Sequence, residues 1–99
     1  MKLAFLVYHD ILDTRVSKML ETCGVDFYTK WEQVTGKGHQ TDPHLGTRVY
    51  PGYNSVRMIA FAQDKMLEGL IEKIKVINLD VHRDDDKIRL FVMPLERII

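Results

Sequence analysis

The polarity pattern of the 99 residues predicts an α+β fold of the ferredoxin-like type, a split βαβ arrangement written βαββαβ. Four segments have strand patterns and two have helical periodicity, in the order strand, helix, strand, strand, helix, strand. The length corresponds to one domain, residues 1–99. We therefore expect an antiparallel four-stranded sheet with both helices on one face.

The first strand and helix follow from local patterns. Residues 2–8, KLAFLVY, form a short apolar run rich in strand formers, which predicts a buried strand. Residues 9–24, HDILDTRVSKMLETCG, repeat apolar side chains at helical spacing. Asp10 or Asp13 is expected to cap the start of this helix, and Gly24 is placed for a left-handed C-terminal cap.

The remaining elements are predicted in the same way. Residues 25–34, VDFYTKWEQV, alternate as a half-buried strand does, and so do residues 53–61, YNSVRMIAF. A second helix opens at Gln63-Asp64, and residues 88–94, IRLFVMP, form the last strand before Pro94 stops it. One side of the second strand carries Val25, Phe27, Thr29 and Trp31.

Large side chains are predicted on both faces of the sheet, although two helices can cover only one face. Trp31 and Phe27 lie opposite Tyr28 in the second strand, and Met58 lies opposite Ile59 in the third. An uncovered apolar sheet face predicts an interface between copies of the chain. Scattered surface aromatics, which are normal in monomers, are the alternative.

Composition excludes several classes of function. The formal net charge is zero, which argues against nucleic acid or an anionic membrane as partner. A single cysteine, Cys23, excludes an internal disulfide and predicts a cytoplasmic location. The apolar run at the N-terminus is too short for a signal peptide or a membrane span.

Residues 35–52, TGKGHQTDPHLGTRVYPG, predict a long loop. Four of the six glycines and two of the three prolines fall here, so regular structure is not expected. Most connections are about four to six residues long, and longer loops are usually functional or disordered. We expect a ligand-responsive segment that is mobile when empty and ordered when a ligand or partner docks.

Two groups in the loop are candidate binding residues. Gly36-Lys37-Gly38 follows a strand, where two glycines let backbone amides converge on an anion and Lys37 adds charge. A simple turn is the alternative. His39 and His44, with Asp42 between them, are the candidate metal ligands, because imidazole binds Zn, Cu and Ni. Their spacing matches no standard zinc motif, and solvated loop histidines are the alternative.

Two further groups are assigned local roles. His9, at the end of the first strand, is expected to hydrogen-bond locally, with contact to a ligand as the alternative. The run Asp84-Asp85-Asp86 is expected to be a solvated turn. No serine or cysteine has a plausible base neighbour and no cofactor fingerprint is present, so the sequence predicts no enzyme and assigns no cofactor.

With this topology, the chain resembles the PII-like signalling family. The features that carry the resemblance are the Gly36-Lys37-Gly38 turn before a long loop, which corresponds to the T-loop, and Asp86-Lys87-Ile88 near the last strand. Residues 44–59, HLGTRVYPGYNSVRMI, resemble short bacterial PII-like proteins of the non-nitrogen type. Some of these are encoded beside metal-efflux pumps or transporters.

The resemblance implies a homotrimeric regulator that senses a small ligand. Ligand sites would lie in the clefts between subunits near the base of the loop, with Gly36, Lys37, Gly38 and Lys87 contacting an anionic group. The loop would report ligand state to a partner such as a membrane transporter, an efflux pump or an enzyme.

Two departures from the family pattern bear on the ligand. PII proteins carry Gly-Asp-Gly-Lys-Ile before the last strand, whereas this chain has three aspartates before Lys87-Ile88. Those carboxylates are expected to repel phosphate. The chain also ends at Arg97-Ile98-Ile99, without the paired arginines of a PII C-terminal extension. These departures disfavour ATP bound in the PII manner and favour a smaller anion or another ligand.

Two alternatives of different classes remain open. One is a trimer that binds divalent metal through His39 and His44, similar to the CutA divalent-ion proteins or the efflux-linked PII-like proteins. The other is a small dimeric ferredoxin-like enzyme, such as a monooxygenase, with the apolar sheet face as its substrate cavity. Oligomeric state separates the dimeric enzyme from the trimers.

Overall fold

The computed structural model describes residues 1–99 and has the predicted order of elements. The strands are β1 Lys2–His9, β2 Thr29–Val34, β3 Asn54–Phe61 and β4 Arg89–Pro94, and the helices are α1 Asp13–Thr22 and α2 Asp64–Leu79. Short 3₁₀ turns occupy Asp10–Leu12 and Asp84–Asp86. All neighbouring strands are antiparallel, in the order β2-β3-β1-β4, which confirms the predicted fold class.

The core lies between the helices and one face of the sheet. Along β1 and β3, buried and partly buried residues alternate, as expected when helices cover one face only. The helices contribute the apolar stripes that the periodicity predicted. The buried apolar residues include Leu6, Tyr8, Ile59 and Phe61 from the strands and Val16, Leu20, Leu70 and Ile74 from the helices.

Strand β2 is shorter than predicted, because residues 25–28 are not part of it. Gly24 takes the expected left-handed conformation with φ of +76°, and the Val25 amide donates to the carbonyl of Leu20. Val25 therefore completes the end of α1, and its backbone is not available to start a strand.

The side of β2 that faces the helices also differs from the apolar side of the predicted alternation. Lys30 pairs with Arg57 on β3 and shares its helix-facing side, whereas Trp31 pairs with Val56 on the other face. Trp31 is 45% exposed. The polar Lys30 faces inward because its ammonium reaches the carboxylate of Asp13 on α1.

The start of the first helical segment is capped by a different residue from those predicted. The Ile11 amide donates to Nδ1 of His9 at 3.1 Å, so an imidazole caps the 3₁₀ turn that precedes α1. Neither Asp10 nor Asp13 caps a helix, and Leu12, at the start of α1, makes no side-chain cap. Asp13 is instead engaged with Arg57.

The second face of the sheet is apolar and uncovered, as predicted. Phe91 and Met93 on β4 are 55% and 40% exposed, and Trp31 lies on the same face. Such a face is a candidate interface. Neither helix has the length and apolar composition needed to cross a bilayer.

Candidate functional site

A cavity of about 540 Å³ lies where the end of β1, the base of the long loop and the turn before β4 meet. Its floor includes Val7, Val56 and Phe91 from the uncovered sheet face. All four residues predicted to contact an anionic ligand line this cavity: Gly36, Lys37, Gly38 and Lys87. Its volume falls in the range of about 300–1,000 Å³ typical of small-molecule sites.

The backbone around the two glycines is already hydrogen-bonded. Gly36 exchanges two backbone hydrogen bonds with His44, of 2.9 and 2.7 Å, and the Gly38 amide donates to the hydroxyl of Thr41. The expected pair of free glycine amides is therefore not present. A Cβ at Gly36 would lie 2.4 Å from Nδ2 of Asn54, so close approach explains this glycine. Lys37 forms no ion pair and carries the free charge.

The loop base is tied to β1 rather than detached from the sheet. The Asp10 amide donates to the carbonyl of Tyr53 at 2.9 Å, and the Tyr53 amide donates to the Asp10 carboxylate at 3.3 Å. Within the loop, Gly46 donates to the carbonyl of Gly52 at 2.8 Å. Residues 35–52 thus form an internally hydrogen-bonded segment packed over the strand ends.

The acidic turn before β4 contacts basic or imidazole groups at every position, although it was expected to be a solvated turn. Lys87 Nζ lies 3.0 Å from Oδ1 of Asp84. Arg83 pairs with Asp85 at 3.1 Å and also with Asp42 of the loop. The charge of Asp85, followed by that of Asp42, raises the pKa of Arg83.

The third aspartate of the turn, Asp86, lies beside a pair of histidines. Oδ1 of Asp86 is 3.4 Å from Nε2 of His44. The rings of His9 and His44 meet edge to face, with centroids 4.2 Å apart. Asp86, His9 and His44 each offer one ligand atom, and these three atoms lie within 4.8 Å of one another.

The structure therefore separates the two predicted metal ligands. His44 is buried and joins His9 and Asp86, whereas His39 is exposed and belongs to no such group. His9 and Asp86 were not assigned to a metal site because they lie far from the loop in sequence. The pairing of His39 with His44 in one site remains a prediction.

A buried charged network underlies the β1 end of the cavity. Arg57 is only 2% exposed, and its Nη2 donates to Asp13 at 3.1 Å and to the Ser17 hydroxyl at 2.7 Å. Its Nε donates to the Tyr8 hydroxyl at 2.9 Å, which in turn donates to Asp13 at 2.6 Å. Lys30 pairs with the same carboxylate at 2.9 Å.

The network shifts the titration of its members. Burial, together with the hydrogen bond to Asp13, raises the pKa of Tyr8 to about 12, so Tyr8 stays neutral. Burial alone would raise the pKa of Asp13, but hydrogen bonds from Tyr8, Lys30 and Arg57 outweigh it and lower the pKa to about 2. Asp13 is therefore the anion that balances the buried guanidinium.

The alternation of β3 contained a signal for this network. Arg57 falls on the same side of the strand as Ile59 and Phe61, which are buried. An arginine on a core-facing side requires a buried anionic partner. Its partner, Asp13, lies on α1, and only the tertiary structure identifies it.

Comparison with known proteins completes the description of the site. A protein-family model described as "Nitrogen regulatory protein P-II" matches residues 1–99. No curated protein matches the sequence at a significant level. Among solved structures, CPII, a nitrogen regulatory PII-like protein from Thiomonas intermedia K12 bound to ADP, AMP and bicarbonate, matches with a TM-score of 0.72 at 16% identity, covering 93% of this chain and 82% of that chain.

Two further structures are similar. A 2.3 Å structure of CPII with the same ligands has a TM-score of 0.62 at 17% identity, covering 92% of this chain and 86% of that chain. A protein described as PII-like and signaling, from Thermus thermophilus, has a TM-score of 0.62 at 15% identity, covering 93% of this chain and 83% of that chain. At these identities the structural comparisons establish a shared fold.

Proposed function

This chain belongs to the nitrogen regulatory protein P-II family, and from that premise we propose that it is a homotrimeric cytoplasmic regulator that binds a small anionic ligand. The ligand occupies the cavity at the base of the long loop, and the loop reports its presence to a partner protein. The protein acts by binding and not by catalysis.

One observation supports this proposal above the others. Gly36, Lys37, Gly38 and Lys87, separated by up to half the chain, line a single cavity. Lys37 has no ion-pair partner, so its ammonium is available to a ligand. Lys87 is paired with Asp84, whose side chain is 77% exposed. Such an exposed pair contributes only about 0–1 kcal/mol, so a bound anion can replace Asp84 as the partner of Lys87.

The charges around the cavity favour a ligand with one compact anionic group. The lining holds three cations, Lys37, Lys87 and Arg89, and three carboxylates, Asp42, Asp84 and Asp85. A triphosphate would meet those carboxylates at close range, whereas a monophosphate or bicarbonate needs only the two lysines. CPII, which shares the fold, is bound to ADP, AMP and bicarbonate, and this supports the same chemical class here.

The trimer follows from the uncovered sheet face. Phe91 belongs both to that face and to the cavity floor, so a neighbouring subunit packed on the face would close the cavity from its open side. Ligand binding and subunit packing would then share one boundary. This arrangement favours a trimeric regulator over the dimeric enzyme.

The loop is proposed to contact the partner because its outer part is exposed and includes an apolar side chain. Val49 is 76% exposed, and Arg48 beside it is exposed as well. The base of the same loop supplies Lys37 to the cavity. A transporter, an efflux pump or an enzyme is the proposed client.

The test is ligand binding by calorimetry on tag-free protein, with AMP, ADP, ATP and bicarbonate as probes. A Lys37→Ala, Lys87→Ala double variant should weaken binding of the preferred anion at least tenfold, while sedimentation shows an unchanged trimer. The control is the Lys18→Ala, Lys75→Ala double variant, which removes the same charge from α1 and α2.

The outcomes separate the parts of the proposal. Anion affinity in the Lys37, Lys87 variant equal to that of the control would refute the cavity as the ligand site. Failure of all four probes to bind the parent protein would refute the proposed ligand class. A dimer in sedimentation would refute the trimeric regulator and favour the enzyme alternative.

A further inference from the structure

Three potential metal ligands meet beside the cavity, on three separate segments. His9 ends β1, His44 lies in the long loop, and Asp86 lies in the turn before β4. Both histidines are buried, at 8% and 7% exposure. We propose that His9, His44 and Asp86 form a binding site for a divalent ion of the Zn²⁺ class, separate from the proposed anion site.

The hydrogen bonds of His44 supply an independent argument for a cation. Its Nδ1 lies 2.7 Å from Oδ1 of Asn54, so Nδ1 carries the proton and donates it to that oxygen. Nε2 then presents a lone pair. Yet Nε2 faces two carboxylates, Asp86 at 3.4 Å and Asp85 at 4.0 Å. Lone pairs of three groups pointing at one another require a positive charge between them.

The Asn54 contact is also the arrangement that metal-binding histidines use. A ligating imidazole donates its other N–H to an oxygen, which fixes the tautomer and the ring orientation. The nitrogen–oxygen distance of 3.4 Å between His44 and Asp86 already matches two ligands on one ion, because bonds of about 2.0–2.2 Å in tetrahedral geometry place ligand atoms about 3.3–3.5 Å apart.

His9 can join the ion by moving one proton within its ring. Its Nδ1 accepts the Ile11 amide at 3.1 Å, which places the ring proton on Nε2. Oδ1 of Asp10 lies 3.2 Å from the same Nδ1. With the proton on Nδ1, His9 donates to Asp10 and presents Nε2 to the ion, at the cost of the Ile11 cap. Asp10 then serves His9 as Asn54 serves His44.

The donor set defines the class of ion. Two imidazole nitrogens and one carboxylate oxygen suit Zn²⁺, and they suit Mg²⁺ and Ca²⁺ poorly because those ions prefer oxygen ligands. Three protein ligands leave one tetrahedral position open. His9 and His44 line both the large cavity and a second one of about 320 Å³, so water or a small anion can reach that position.

An ion here would fasten the long loop to the sheet. His44 is otherwise held by its backbone bridge to Gly36 and its contact with Asn54. Bonds through one ion to His9 and Asp86 would join the loop to the end of β1 and to the turn before β4. The site uses neither Lys37 nor Lys87, so it can exist whether or not the anion proposal is correct.

The test is a Zn²⁺ titration of tag-free protein against a chromophoric chelator, with Co²⁺ absorption as a second readout. We expect one ion per chain and the visible bands of a tetrahedral Co²⁺ site. His44→Gln and Asp86→Asn should each weaken Zn²⁺ binding by about a hundredfold or more, and Asn54→Ala by about 10–100-fold. His39→Gln and Asp84→Asn are the matched controls and should leave affinity unchanged.

Each result bears on the proposal. Asp86 is 21% exposed in its side chain, so Asp86→Asn keeps the test valid if His44→Gln fails to fold. Lys37→Ala should bind Zn²⁺ like the parent protein, which separates this site from the anion site. Absence of stoichiometric Zn²⁺ binding would overturn the proposal and assign the positive charge to a proton on His44. Equal losses in His39→Gln and His44→Gln would overturn the assigned ligands.

Discussion

Asp13 balances the charge of a buried arginine, and the substitution Asp13→Asn isolates that role. The change removes the negative charge and keeps the size of the side chain. The guanidinium of Arg57, 2% exposed, would keep hydrogen bonds to Tyr8 and Ser17 and lose the one carboxylate it contacts. Tyr8 cannot replace that anion, because burial raises its pKa to about 12.

The structure sets the size of the expected effect. Removing one partner of a fully buried ion pair costs about 3–5 kcal/mol. Arg57 is at that limit, but the Asp13 side chain is 35% exposed, so solvent screens part of the loss. Lys30 loses the same partner yet keeps Glu32 at 3.0 Å. We therefore expect Asp13→Asn to lower the free energy of unfolding by about 2–3 kcal/mol.

The assay is urea unfolding at neutral pH, followed by circular dichroism at one fixed protomer concentration because oligomers gain stability with concentration. Glu32→Gln is the control, since it removes the same charge from a side chain that is 68% exposed. The double variant Asp13→Asn, Arg57→Met should recover much of the loss, because no buried cation is left unpaired. A loss of under about 0.5 kcal/mol, the range of an ordinary surface change, would refute the reasoning.

Three further predictions concern acid stability, assembly and the loop. Because the network lowers the pKa of Asp13 from 3.8 to about 2, its contribution is complete above about pH 4 and is lost as pH falls towards 2; Asp13→Asn should lack this component in acid titrations at fixed ionic strength. Trp31→Glu, on the uncovered sheet face, should shift the trimer towards monomer in sedimentation velocity. Gly52→Ala should lower the melting temperature more than Gly24→Ala, since both have positive φ but only a Cβ at Gly52 meets a neighbour, His9 Nε2 at 2.5 Å.

Controls and opposing outcomes follow from the same contacts. Acid curves of parent and Asp13→Asn protein that run parallel between pH 4 and pH 2 would contradict the assigned pKa of Asp13. Val76→Glu changes an apolar residue of α2 that is 58% exposed and should leave the trimer intact. Equal destabilisation by Gly52→Ala and Gly24→Ala would show that the loop yields to the added methyl group.

Sequence patterns predicted the elements whose cause is local. Strand β3 was expected over 53–61 and forms over Asn54–Phe61, because its alternation and its burial coincide. Strand β2 was predicted too long because alternation alone cannot show that Val25 completes a helix cap. Its inward side was not identified because Lys30 turns inward to meet a carboxylate on another element.

The candidate site divides in the same way. Lys37 and Lys87 were grouped through a family resemblance, which already contains tertiary information, and they line one cavity. His9 and Asp86 are 77 positions apart, and nothing local marks them as neighbours. Strand pairing of β1 with β4 brings the two segments together. Proximity across a sheet, unlike periodicity, cannot be deduced from residue types along one segment.

The two proposed sites share walls, and this sets a constraint that neither site alone supplies. His9 and His44 line the anion cavity while offering ligand atoms to the ion. If Zn²⁺ changes the affinity for AMP by some factor, AMP must change the affinity for Zn²⁺ by the same factor. Attraction between the ion and a phosphate should make that factor greater than one. Calorimetric AMP titrations with and without Zn²⁺, and the reverse, measure both factors; unlinked affinities would mean that the ion and the anion do not approach each other in the cavity.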